Sequence, residues 1–149
     1  MKKDFIQIAV FILLIALIIS GQILFNKTDA PGDDVVVVDY ACRLDLQECV
    51  LFINNAELTV SAEGDLQPLK PFTIKIKDQT SIIKNAVVDL SMLEMEMGKN
   101  QFTFERLNPT EWHASVVIPV CTTGRRDWKV ELSVKTAEKN YLMSVLLQL

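Results

Sequence analysis

One histidine, three cysteines and five scattered glycines leave a chain of 149 residues with little of what enzymes use. No glycine-rich loop opens a helix, so there is no cradle for nucleotide phosphates. Acyl transfer would need His113 as its base, yet no serine lies in a Gly-x-Ser-x-Gly turn. Positive charge is short as well. Fifteen Lys and Arg stand against nineteen Asp and Glu, a net charge of −4 that offers nothing extra to phosphate backbones. Nucleic-acid binding is disfavoured. Neighbouring acids such as Glu94 with Glu96, or Asp33 with Asp34, read as solvated faces, and Arg125-Arg126-Asp127 reads as a turn with its own ion pair. The composition points to an accessory or interaction protein without enzymatic activity.

What the chain does have is apolar residues, half of the total, with a mean hydropathy of +0.25. Much of that excess sits in residues 5–25. Twelve of the fifteen residues 5–19 are Phe, Ile, Leu or Val, which favours bilayer insertion by roughly 4 to 7 kcal/mol. As a helix, residues 5–25 would be about 31 Å long, enough to cross the hydrocarbon core. Lys2 and Lys3 precede the span, so the positive-inside rule holds the amino terminus in the cytoplasm. A cleaved signal peptide is the competing reading, but Ile19-Ser20-Gly21 is a poor small-x-small site. The expectation is a single-pass inner-membrane anchor at 1–25, in contact with lipid over residues 5–25, and a domain on the periplasmic side.

Residues 26–34 are polar and contain Pro31-Gly32, the mark of a short linker. Beyond it, over 35–149, apolar residues recur at every second position. Phe72-Thr73-Ile74-Lys75-Ile76-Lys77 places Phe and two Ile on one face and Thr and two Lys on the other. Residues 128–135, 101–106 and 57–61 repeat the alternation, and residues 35–42, 86–92, 112–118 and 141–147 read as more buried strands. Turn residues separate them, including Asn54-Asn55, Gly64-Asp65, Asn108-Pro109 and Thr123-Gly124. The spacing fits seven or eight strands in an all-β, immunoglobulin-like β-sandwich. The strand at 141–147 carries apolar residues on both faces, so it is either central or awaits a partner.

Three cysteines on an oxidising side allow one disulfide and leave one thiol over. All three pairings are open, since each needs its α-carbons about 4.4–6.8 Å apart; Cys42 with Cys49, close in sequence, is the favoured one. Cys121 then remains. Met95 and Met97 project from one face of an extended segment, and paired thioethers suit monovalent copper, for which His113 or Cys121 is eligible as a third ligand. Methionines packing as adaptable fillers is the plainer account.

Met95-Glu96-Met97-Gly98-Lys99-Asn100, Trp112, Pro119-Val120-Cys121-Thr122-Thr123-Gly124 and Trp128-Lys129-Val130 resemble an uncharacterised group of proteobacterial membrane-anchored proteins, which in turn are similar to YtkA-like and FixH-like domains. The resemblance spans roughly residue 42 to the carboxyl end. It implies an immunoglobulin-like domain facing the periplasm, linked through FixH-like members to assembly and copper supply of respiratory oxidases. The chain departs from that pattern at Arg126, where related sequences often place a methionine. It also lacks the His-Met motif of periplasmic copper chaperones.

Overall fold

A computed structural model describes residues 35–95, 98–121 and 124–149, all within one compact unit, Asp33–Leu149. The anchor expected at 5–25 and the linker at 26–34 lie outside the described residues. Among those described, no helix is long and apolar enough to cross a membrane.

The described chain is all β, a sandwich of two five-stranded sheets. In chain order the strands are β1 (Val35–Arg43), β2 (Cys49–Ile53), β3 (Ala56–Glu63), β4 (Pro71–Asp78), β5 (Asn85–Met92), β6 (Gln101–Thr103), β7 (Glu105–Asn108), β8 (Glu111–Val117), β9 (Asp127–Lys135) and β10 (Asn140–Gln148). The first sheet runs β1-β10-β9-β5-β6 and the second β2-β3-β4-β8-β7. All pairings are antiparallel except β1 with β10, which is parallel.

Period-two patterning builds the core. In β4, Phe72, Ile74 and Ile76 are buried while Thr73 and Lys75 are half-exposed. In β9, Trp128, Val130, Leu132 and Val134 are buried between more polar neighbours. The inward residues of both sheets join one apolar cluster, Leu51, Leu58 and Ile74 from the second meeting Leu90, Leu132 and Met143 from the first. Burying each such side chain stabilises the fold by about 1.5–3 kcal/mol.

Among the described residues ten strands stand where seven or eight are expected, for two physical reasons. Cys49-Val50-Leu51-Phe52-Ile53 is apolar throughout, so no alternation marks it, yet it forms β2 with Leu51 and Ile53 buried and Val50 and Phe52 exposed. Asn54 and Asn55, at φ 45° and 65°, make the tight turn into β3. The single run expected at 101–106 divides at Phe104. That residue is buried and its N–H donates to the Ala86 carbonyl, so β6 pairs in one sheet and β7 in the other.

Cys42 and Cys49 are joined in a disulfide with Cα atoms 5.8 Å apart. It links the end of β1 in one sheet to the start of β2 in the other. The corner between them is tied to β10, since Leu44 N–H donates to the Leu146 carbonyl at 2.8 Å and Gln148 N–H to Asp45 Oδ1 at 3.0 Å. Burial pushes the Asp45 carboxyl up, but hydrogen bonds from Arg43 and from the Gln148 amide outweigh it and hold it below the usual range.

Candidate functional site

The register of the first sheet aligns a row of side chains across its solvent face. Asp39 of β1 sits opposite Ser144 of β10, Ser144 opposite Glu131 of β9, Glu131 opposite Asp89 of β5, and Asp89 opposite Gln101 of β6. Carboxylates directly opposite one another repel, so each needs a donor. Ser144 Oγ donates to Asp39 Oδ1. Lys129 Nζ lies 2.9 Å from Glu131 Oε1, and Asp89 accepts from Asn100 N–H at 3.2 Å and Gln101 Nε2 at 3.1 Å. The hydrogen bond to Glu131 raises the Lys129 pKa.

Two hollows adjoin this row on one side. One, of about 490 Å³, is lined by Asp89, Ser91, Glu94, Met95, Lys129 and Glu131 among others; its neighbour, of about 450 Å³, by Asp39, Leu93, Lys129, Ser144 and Leu146 among others. Leu93 lines the second and remains exposed, and Leu142 and Leu146 of β10 are half-buried on the same face. The strand 141–147 is therefore neither an edge nor sealed on both sides. Tyr141, Met143, Val145 and Leu147 enter the core, while its other face contributes apolar surface beside polar groups.

Arg125 pins this end of the sandwich. Its Nη1 donates to Glu94 at 2.6 Å, and its Nε and Nη2 grip Asp127 at 3.0 and 2.6 Å. The fork fits a carboxylate. These bonds, Asp127 first and Glu94 second, raise the guanidinium pKa, and the bond from Arg125 lowers that of Asp127. A carboxyl held below its unfolded pKa of about 3.9 stabilises the fold above that pH, and loses the effect as pH falls through the lowered value. Arg125→Gln should therefore unfold at lower urea than the parent at pH 7 and match it near pH 2. Equal midpoints at both pH values would rule the clamp out.

The four residues considered for copper are dispersed or undescribed. Met95 lies in the connection after β5, bridged to Met92, and is 36% exposed. Met97 lies outside the described residues. His113 is in β8 on the solvent face of the second sheet, opposite Lys75 and Glu105, with Nε2 3.7 Å from Glu105 Oε2. Cys121 lines a separate hollow of about 290 Å³ with Pro119, Val120, Trp128 and Leu149. Around Met95 the structure gathers oxygen donors, Asp89, Glu94 and Glu131, which suit hard ions better than monovalent copper. Among the described residues, no group of three His, Cys, Asp or Glu is placed to hold a metal.

The row from Asp39 to Gln101 is not apparent in the sequence, because its members lie on five strands whose order the sequence does not state. Each does occupy an outward position of its strand, and that was the available signal.

Fold and site define a two-sheet β-sandwich domain with one partly apolar solvent face. No family model matches the chain, and no curated protein matches it. Among solved structures, the crystal structure of the human F-spondin reeler domain (fragment 1) is similar at 10% identity with a TM-score of 0.39, over 74% of this chain and 94% of that one. A likeness this distant bears on neither fold family nor function.

Proposed function

We propose that the protein is a membrane-anchored accessory module, held in the bacterial inner membrane by residues 5–25, whose immunoglobulin-like domain in the periplasm binds a protein of a membrane complex. The observation that carries this reading is the solvent face of the first sheet. There Leu93 is exposed and Leu146 half-buried at a hollow that Asp39 and Lys129 also line, and Glu131 lines its neighbour. Exposed apolar side chains set beside charged groups are a common form of protein-binding surface. The resemblance to FixH-like domains supports the same reading by analogy. A photo-crosslinker at Leu93 in the living cell should trap one membrane protein in a discrete band, and Leu146→Lys should abolish that band. A crosslinker at Ser115, exposed on β8 in the other sheet, should trap none. Equal yields from both positions, or a band unmoved by Leu146→Lys, would remove this face from consideration. A reporter fused to the carboxyl end tests the topology separately and should be active only outside the cytoplasm.

The second reading is monovalent copper binding, favoured by the half-exposed Met95 thioether at the larger hollow. Titration of the reduced chain with monovalent copper should then saturate at one equivalent, with at least a tenfold loss of affinity in Met95→Ile/Met97→Ile. An unchanged isotherm in that variant would end the reading.

A further inference from the structure

A β-sandwich of two open sheets has four edge strands, and natural proteins blunt such edges because unpaired N–H and C=O groups recruit further strands. Three of the four here are blunted. On β2 the Tyr40 hydroxyl accepts from Phe52 N–H at 3.0 Å and donates to the Phe52 carbonyl at 3.2 Å, so a side chain occupies the edge where a strand would pair. β6 is only three residues long. β7 has four residues, a register irregularity between Arg106 and Asn108, and Pro109 directly after it.

β1 has none of these devices over its first half. Val35-Val36-Val37-Val38 carries no lysine, no proline and no bulge, and the register with β10 is regular from Val35 to Asp39. Val35 and Val37 are 51% and 62% exposed. The core-facing side adds a second observation. β2, also an edge, buries Cys49, Leu51 and Ile53 completely, whereas Val36 and Val38 of β1 stay only half-buried. Among the described residues the edge of the core is open there, along four consecutive valines, a residue type enriched in strands.

We infer that this edge pairs with the same strand of a second copy of the chain, antiparallel about a two-fold axis at Val37, to give one continuous ten-stranded sheet. The occupant follows from self-complementarity. With the axis at Val37, Val37 faces its own counterpart, Val36 faces Val38, and Asp39 faces Val35, so no like charges meet. Asp39 already accepts the Ser144 hydroxyl, and its carboxylate does not oppose the pairing. The second copy would cover Val36 and Val38 and complete the hydrogen bonding of the edge. This inference uses the backbone edge of β1, whereas the accessory-module reading uses the side chains around Leu93 and Leu146, and it holds whether or not that reading does. A pairing of five residues per strand is smaller than a standard interface of roughly 1,200–2,000 Å² and should be weak and reversible.

Sedimentation equilibrium of the full-length chain up to about 1 mM, a range chosen for so small an interface, should show a monomer–dimer equilibrium. Val35→Lys/Val37→Lys changes two exposed side chains and should raise the dissociation constant at least tenfold with the urea midpoint unchanged. Val50→Lys/Phe52→Lys on the guarded β2 edge should leave it within twofold. Independently, Val37→Cys should form an intermolecular disulfide under mild oxidation, since facing β-carbons in such a pair lie about 4.5–5.5 Å apart; Val50→Cys and the parent chain should not. A parent chain monomeric throughout overturns the inference and leaves the edge to a strand of another protein. A dimer undisturbed by the two lysines, or equal crosslinking from Val37→Cys and Val50→Cys, overturns it as well.

Discussion

Asp78→Ala is expected to cost about 3 kcal/mol of unfolding free energy, close to a third of what holds a domain of this size together. Asp78 is completely buried at the end of β4. Its Oδ1 accepts from Thr80 N–H at 3.1 Å and the Thr80 hydroxyl at 2.8 Å, and its Oδ2 from Ile83 N–H at 2.9 Å. Those bonds shape the connection that carries the chain from the second sheet to the first and seats Ile83 in the core. Alanine would strand the buried Ile83 amide, and a buried donor without an acceptor costs about 1–3 kcal/mol by itself. Thermal unfolding should fall by roughly 10 °C. Asp78→Asn separates shape from chemistry, because it keeps the volume but must turn an NH₂ toward one of the donors. It should fall between the parent and Asp78→Ala. If the alanine variant melts within 2 °C of the parent, a resolution set by the usual few degrees per kcal/mol, the carboxylate does not organise this loop.

Loss of the Cys42–Cys49 bond is the second large effect. The two residues are seven apart in sequence, and closing so short a loop restricts the unfolded chain by about 2–2.5 kcal/mol in the chain-entropy picture. Cys42→Ala/Cys49→Ala should lose that amount, plus a smaller packing term at Cys49, which is fully buried. Dithiothreitol should lower the parent's urea midpoint to nearly that of the variant and leave the variant unmoved. A parent indifferent to reductant would mean that the bridge contributes nothing to stability. The corner should stay folded without it, because hydrogen bonds from Leu44 and Gln148 fix it to β10 independently.

The strands with clean alternation were legible in the sequence, since burial on one face alone imposes a polar–apolar period. β4 and β9 are the plain cases. β2 was illegible for the opposite reason: its outward residues Val50 and Phe52 are apolar, so nothing distinguishes its two faces by composition. The break at Phe104 was hidden because a strand that changes sheets keeps its extended backbone and its period. Pairing order was beyond reach altogether. That β1 lies parallel to β10, or that Asp39, Glu131 and Asp89 share a row, depends on contacts between residues up to about a hundred positions apart. The methionine segment shows the limit for sites. Alternation placed Met95 on an extended face, but its neighbours around the hollow come from β5 and β9 and are carboxylates and a lysine, a setting that local spacing does not encode.

The parallel zipper of β1 along β10 also sets an order of events. Val35 waits for Asn140, and among the described residues every ladder pairing of β1 is with a strand made after the other nine. A nascent chain can assemble the β2-β3-β4 meander early, but it must carry its four consecutive valines unsatisfied until β10 emerges. Contacts of such long range slow the final closure. During that interval the same valines are the stretch most exposed to mispairing, so a holdase that shelters extended apolar segments should raise the yield of native protein more than a catalyst of proline isomerisation would.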